Sequence, residues 1–260
     1  KKLMLSEYVN TAKSYILYRQ ERTRIREQSM IVPEKIKKKV AESSKYFRTP
    51  YQEFIFYQFY SKWREELGRR ETWVESIDRF MDFMKENVGS KFTVVEYAEL
   101  KEAILNQEVC PSMRLLWSSG KAARRTNVCA YNCAYIAPTN WRDLSEIMYV
   151  SMCGAGCGFS VEPENVGKFP QIQKQTGEMA PKIIIEDDKI GWCEGFVKAC
   201  EAWEHGEDVE IDYSLIRPAG AKLGTMGGRA SGPGVLQDLM KFTKRKILAR
   251  QGRRLTTLDL

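Results

Sequence analysis

Residues 131–162 read YNCAYIAPTNWRDLSEIMYVSMCGAGCGFSVE. With Val128, Cys129 and Ala130 placed in front, the first part alternates. Cys129, Tyr131, Cys133 and Tyr135 fall on one face of an extended chain, and Ala130, Asn132, Ala134 and Ile136 on the other, the period of two that marks a strand over 128–137. Asn140 offers a side-chain acceptor to the free N–H groups at the start of a helix through RDLSEIMYVSM. Glycines end that helix, and GFSVE supplies a second extended segment. Strand, helix and strand in this order predict a crossover joining two parallel strands, and hence an α/β fold.

The sequence before this unit has a different texture. Leu5, Tyr8, Val9, Ala12, Tyr15 and Ile16 recur at helical intervals and run into the charged stretch RQERTRIREQ. Pro33 opens a second helical pattern that stops near Thr49 and Pro50. YQEFIFYQFYSKWREELG follows, with seven aromatics in residues 51–63, too many for one face of a surface helix, so the run is read as core packed on several sides. Thr72 with Glu75 and Thr93 with Glu96 have the spacing of capping boxes, in which each side chain satisfies the other residue's backbone N–H. Residues 29–107 therefore read as almost entirely helical, with a boundary near 108–120. Beyond residue 162 the pattern predicts a polar insertion over 163–213 with a helix around WCEGFVKACEAW, a glycine-rich loop from Arg217 to Gly234, and a final amphipathic helix in VLQDLMKFTKRKILARQGR.

Composition bounds the function. The 260 residues are 43% hydrophobic and 29% charged, a globular balance with no run near the roughly 20 apolar residues of a membrane helix. The N-terminus lacks the pattern of a secretory leader, so a cytoplasmic protein is expected, with its seven cysteines reduced. Lys and Arg number 41 against 34 Asp and Glu, a net charge of +7 that fits phosphate-bearing ligands or solvated helix faces alike.

Cys129 and Cys133, then Cys153 and Cys157, form two C-x3-C pairs. On a strand the first pair would stand roughly 13 Å apart at the Cα atoms, too far for one zinc ion, so no metal site is expected. Small buried thiols are the expectation for Cys110, Cys193 and Cys200, and for Cys129 and Cys157. GAGCG at 154–158 follows a helix and precedes a strand, the reverse of a dinucleotide fingerprint. LIRPAGAKLGTMGGRASGPG is more specific: Gly220, Gly224, Gly227, Gly228, Gly232 and Gly234 are interleaved with Arg217, Lys222 and Arg229. Bare backbone N–H groups beside cationic side chains suit a nucleoside polyphosphate, and the Gly-Lys-Ser/Thr ending of an ATPase loop is absent. His205 is the only histidine, which argues against a histidine-dependent triad.

These strings resemble the large catalytic chain of ribonucleotide reductase, most closely its adenosylcobalamin-dependent class II. YNCAYIAPTNWRDLSEIMYVSMCGAGCGFSVE and LIRPAGAKLGTMGGRASGP carry the resemblance. RRETWVESIDRFMDFM and CPSMRLLWSSGKAARRTN are similar to the helical lead-in, and YILYRQERTRIREQ to the end of an ATP-cone. The resemblance implies a remnant of an ATP-cone-like helix and linker over 1–28, a helical domain over 29–120, and the first half of a ten-stranded α/β barrel over 121–260.

It further implies that Cys133 is one of the family's two redox cysteines, pointing into the barrel, and that Asn132, Gly154 and Ser112 contact a ribonucleotide substrate. Residues 217–233 would be the specificity loop, where Arg217, Lys222, Gly227, Gly228 and Arg229 meet a deoxynucleoside triphosphate effector, with Asp143 standing in for an acidic residue that many members carry after the first strand. Adenosylcobalamin, a dithiol or thioredoxin-like reductant, and a homodimer through helices 143–152 and 235–250 are expected with the family, but no membrane and no direct nucleic-acid partner. The family's radical cysteine, second redox cysteine and phosphate-cradling loops belong downstream of the matched region. The resemblance therefore implies a chain that works only with a second one carrying the C-terminal half. The competing readings are a non-catalytic nucleotide-binding regulatory module, the front half of a metal-dependent class I reductase, and a zinc-thiolate or nucleic-acid module.

Overall fold

The computed structural model describes residues 33–225 and 227–260; the ATP-cone-like reading of residues 1–28 lies outside the described residues. The helical part opens with α1 (Glu34–Ser44) and α2 (Pro50–Ile55). In α2 the proline occupies the first turn and the Thr49 side chain accepts from the Gln52 N–H. α2 winds into a π-turn over Phe56–Tyr60. A two-residue antiparallel hairpin follows, β1 (Trp63–Arg64) with β2 (Arg69–Arg70), turned at Gly68 in the left-handed region at φ 58°.

α3 (Trp73–Val88) and α4 (Val94–Leu105) start at the two predicted capping boxes, and both arms of each box are formed. Between them and α5 (Met113–Ser118) lies a core of Phe56, Trp73, Ile77, Phe80, Met81, Ile104, Leu105 and Leu116. The Trp73 indole N–H is satisfied by the Leu105 carbonyl at 3.0 Å. The expectation that the aromatic run is packed on several sides needs correcting. Phe56 is buried, but Tyr51, Phe54, Phe59 and Trp63 are exposed, because the run meets α3 with one face before the hairpin turns it away.

α6 (Lys121–Arg125) leads to a tight turn at Asn127–Ala130 and then to β3 (Cys133–Ile136), α7 (Trp141–Met152) and β4 (Gly156–Phe159). The predicted crossover is present: β3 and β4 are parallel, with Cys133 opposite Gly156 and Ile136 opposite Phe159. The strand is shorter than predicted. The turn at 127–130 sends the Cys129 thiol to the Thr126 carbonyl at 3.0 Å and buries it, so Cys129 and Cys133 do not share a face.

After α8 (Pro163–Val166), β5 (Ile183–Ile184) pairs in parallel with β6 (Ile211–Asp212) across α9 (Lys189–Glu204), and α10 (Gly234–Leu248) completes the order. α9 is packed between α7 and α10. The stretch 163–213, read from sequence as a polar insertion, instead supplies the centre of the larger core: Phe169, Ile172, Ile185 and Trp203 are fully buried. Its polar residues alternate with the apolar ones that face inward, so composition hid the pattern.

Among the described residues the strands form three separate two-stranded sheets, and β3 and β4 pair only with each other; a mixed α/β arrangement is present, and the ten-stranded barrel implied by the resemblance is not shown by these small sheets. No helix among the described residues is long and apolar enough to cross a membrane.

Candidate functional site

The predicted residues gather in two groups that meet at Gly154. The first surrounds the start of the β3–β4 pair. The Asn132 carbonyl accepts from the Gly156 N–H at 2.8 Å, which seats Cys133 beside a glycine that has no side chain to cover it. Ser112 caps α5, its hydroxyl accepting from the Leu115 N–H, and two residues on the Arg114 guanidinium donates to the Gly154 carbonyl. Ser112, Gly154, Asn132 and Cys133 are thus linked through backbone and Arg114.

The expected inward-facing cysteine is corrected. Cys133 and Tyr135 lie on the exposed face of β3, because their neighbours on β4 are Gly156 and Gly158 and, among the described residues, no further strand closes over them. Cys157, on the same strand pair, is half-buried, and burial pushes its thiol up.

The second group walls a cleft of about 560 Å³. Gly154 and Tyr149 come from the end of α7, Arg125 from the end of α6, Asp187, Asp188 and Lys189 from the start of α9, and the glycine-rich loop forms the remaining side. That loop is a small lobe tied to itself. Gly220 N–H donates to the Ala230 carbonyl at 2.8 Å, Ala230 N–H to Ala221 at 2.7 Å and Leu223 N–H to Gly228 at 3.1 Å, and Lys222 and Arg229 face each other as an antiparallel bridge. Gly227 and Gly228, at φ 75° and 88°, make the reversal at its tip with open space around them. At Gly232, φ 77°, a Cβ would stand 2.8 Å from the Ala219 nitrogen, so the two ends of the lobe touch backbone to backbone.

The cations expected to meet phosphate are differently engaged. Arg217 donates from Nε to the Asp187 carboxylate at 2.7 Å and from Nη2 to the Asp187 carbonyl at 3.1 Å, and its backbone N–H donates to the same carboxylate at 3.2 Å. Arg229 donates to the Gly220 carbonyl at 2.7 Å. Lys222 reaches away to Glu65 of the helical part at 2.8 Å. Asp143 lies outside the cleft wall, in the first turn of α7, which Asn140 caps. Burial pushes its carboxyl up, but donors from Thr139 and Asn140 outweigh this and hold it below the ordinary aspartate range.

Sequence reading missed Arg125, Asp187, Asp188 and Lys189. Asp188 had a local signal, since it caps α9 by accepting from the Gly191 N–H at 2.8 Å, and it also approaches Arg125 at 3.3 Å. Asp187 had none, because its partner lies 30 residues away.

The remaining cysteines sort by burial. Cys129, Cys153, Cys193 and Cys200 are buried, and burial pushes the thiols of Cys129, Cys193 and Cys200 up. Cys110 is exposed, contrary to its expected place in the core, because it sits in the link between α4 and α5. His205 ends α9, its Nδ1 2.7 Å from the Glu201 carbonyl. Among the described residues no three His, Cys, Asp or Glu side chains converge as a metal-holding group.

No protein-family model matches the chain. It is 27% identical over 222 residues to the adenosylcobalamin-dependent ribonucleoside-triphosphate reductase of Euglena gracilis, covering 77% of this chain and 30% of that protein. Against the enzymes of the same name from Lactobacillus helveticus and Lactobacillus leichmannii the identity is 25%, over 273 and 266 residues, covering 77% of this chain and 36% of each. Among solved structures, a B12-dependent class II ribonucleotide reductase superposes with a TM-score of 0.65 at 21% identity, over 79% of this chain and 38% of that one. The chain spans about a third of the length of the curated relatives it matches. In sequence and in fold alike, the chain is similar to the adenosylcobalamin-dependent ribonucleotide reductases, over about three quarters of its own length.

Proposed function

We propose that this chain is part of a ribonucleotide reductase, contributing one redox cysteine, the backbone that receives the ribose, and the loop that reads a deoxynucleoside triphosphate effector. The observation that carries the reading is the double role of Gly154. It adjoins Asn132 and Cys133 at the start of the β3–β4 pair and also walls the cleft under the glycine-rich lobe. A ligand in that cleft and a ribose beside Cys133 would touch the same turn.

In this reading Cys133 gives up electrons for loss of the ribose 2′ hydroxyl as water. One thiol supplies one electron and cannot close a disulfide by itself, so a second thiol is required; the family resemblance places it downstream of the matched region, here assigned to a second chain carrying the C-terminal half. Ser112, Asn132 and Gly154 hold the substrate. The lobe bearing Lys222, Gly227, Gly228 and Arg229, rooted at Arg217, receives the effector, with Asp143 supporting it by holding the start of α7. A dithiol or thioredoxin-like protein restores Cys133, and a second copy of the chain packs through α7 and α10.

The cleft is of nucleotide size. No step here is derived through adenosylcobalamin; the family's dependence on it assigns the radical source to sequence elsewhere.

The test is an assay of ribonucleotide reduction by the 260-residue chain, alone and with a polypeptide supplying the remaining two thirds of the family's length, with and without adenosylcobalamin. Turnover is expected only in the combination, dependent on the cofactor, and lost with Cys133→Ser when a dithiol is the reductant. Reduction by the isolated chain, or full turnover by the Cys133→Ser combination, would refute the proposal.

A further inference from the structure

The glycine-rich lobe is stiff within itself and attached at few points. Its backbone ladder from Gly220 to Ala230 makes it move as one piece, so its attitude over the cleft is decided at its root. Among the described residues two side-chain ties join it to the rest of the molecule. The Lys222–Glu65 pair is about two-thirds exposed on both sides, and solvent screening leaves such a pair little hold. The Arg217–Asp187 tie is of another kind: half-buried, with three donors converging on one aspartate, one of them the main-chain N–H of Arg217. Asp187 precedes the capping residue of α9, so the anchor is set at the start of the helix that lies at the centre of the larger core.

We infer that Asp187 is the positioning residue of this lobe and that Arg217 is its anchor rather than a contact to the bound nucleotide. The guanidinium spends its Nε and one Nη on Asp187, and the two charges cancel, so the tie adds no net charge to the cleft. Arg125 is likewise paired, with Asp188 at 3.3 Å, so the cations left to attract a polyanion are Arg229 and Lys189. Base discrimination then depends on Asp187 at a distance: the lobe selects correctly only when its root is held.

The experiment uses the full chain and three variants, Asp187→Asn, Arg217→Gln and the double substitution. Tryptic cleavage after Lys222 and Arg229 reports the freedom of the lobe, and equilibrium binding of the four deoxynucleoside triphosphates reports affinity and discrimination. Each single variant is expected to raise lobe cleavage about tenfold, equivalent to about 1.4 kcal/mol of opening. Each should also flatten the ratio of affinities among the four bases, while the melting temperature moves little. The double variant should be no worse than either single one, as for two halves of one interaction.

Unchanged cleavage in Asp187→Asn would overturn the inference. So would a loss of affinity in Arg217→Gln that Asp187→Asn does not share, since Arg217 would then itself touch the ligand, and so would fully additive effects in the double variant. The binding arm rests on the effector reading proposed above and the cleavage arm does not. A parent chain that binds none of the four nucleotides refutes that reading, while cleavage still decides the role of Asp187.

Discussion

Alkylation of the native chain separates the seven cysteines by their surroundings, and Cys133 is the one whose behaviour matters. Cys110 and Cys133 are exposed, Cys157 is half-buried with a thiol pushed up by burial, and Cys129, Cys153 and Cys200 have no accessible surface. A buried thiol reacts only when its surroundings open. A local opening of about 4 kcal/mol, within the range between a frayed end and global unfolding, slows it about a thousandfold. With N-ethylmaleimide at neutral pH, intact mass and peptide mapping are expected to show two groups added quickly, at Cys110 and Cys133, and a third more slowly at Cys157. The other four should be protected, Cys200 among the most, because it is fully buried on α9 in the larger core. Cys133→Ser should remove one group from the fast phase and leave the rest unaltered. If Cys133 is as protected as Cys129, or the two react together, the turn at 127–130 that separates their faces is wrong, and with it the reasoning that exposes Cys133. A complementary chain that closes over β3 should slow Cys133 and leave Cys110 fast.

Three further outcomes follow from the packing. Glu71 is fully buried and accepts from Arg79 at 2.9 Å and from the Ser76 hydroxyl at 2.9 Å; Glu71→Ala strands the Arg79 guanidinium and should cost about 3–5 kcal/mol in a denaturant titration. The Arg69 guanidinium, bound to both Glu75 carboxylate oxygens at 2.7 Å, holds that group down at about 2, below its ordinary 4.5. The pair therefore stabilises the fold fully above about pH 4.5 and loses its effect as the pH falls toward 2, and Arg69→Met should raise the pH of the acid-unfolding midpoint. At Gly191 a Cβ would stand 2.6 Å from the Glu186 Cβ and 2.8 Å from its carbonyl oxygen, whereas at Gly195 it would meet the far end of the Ile185 side chain. Gly191→Ala should accordingly lower the melting temperature more than Gly195→Ala, since backbone cannot turn aside and a side-chain tip can.

Local rules were sufficient for much of this molecule. Thr72 with Glu75, Thr93 with Glu96, and Asn140 start helices where their spacing says they should, because a cap is settled within one turn of chain. The parallel arrangement of β3 and β4 was expected from the order of strand, helix and strand, since an intervening helix is the usual crossover between parallel strands. The glycine-rich lobe and its cations were visible for the same reason: φ values of 75° and 88° at Gly227 and Gly228 are a property of residue type. Tertiary structure decided the rest. Whether Cys133 faces solvent depends on which strands close over it, and alternation along 128–137 cannot report the turn that parts it from Cys129. That 163–213 forms a core rather than a polar insertion depends on α9 lying between α7 and α10. Arg217 reads in sequence as a free cation beside glycines, and only the folded chain brings Asp187 to it across 30 residues. Short-range geometry is written in adjacent residues, while charge pairing and burial are settled by contacts between segments far apart in the chain.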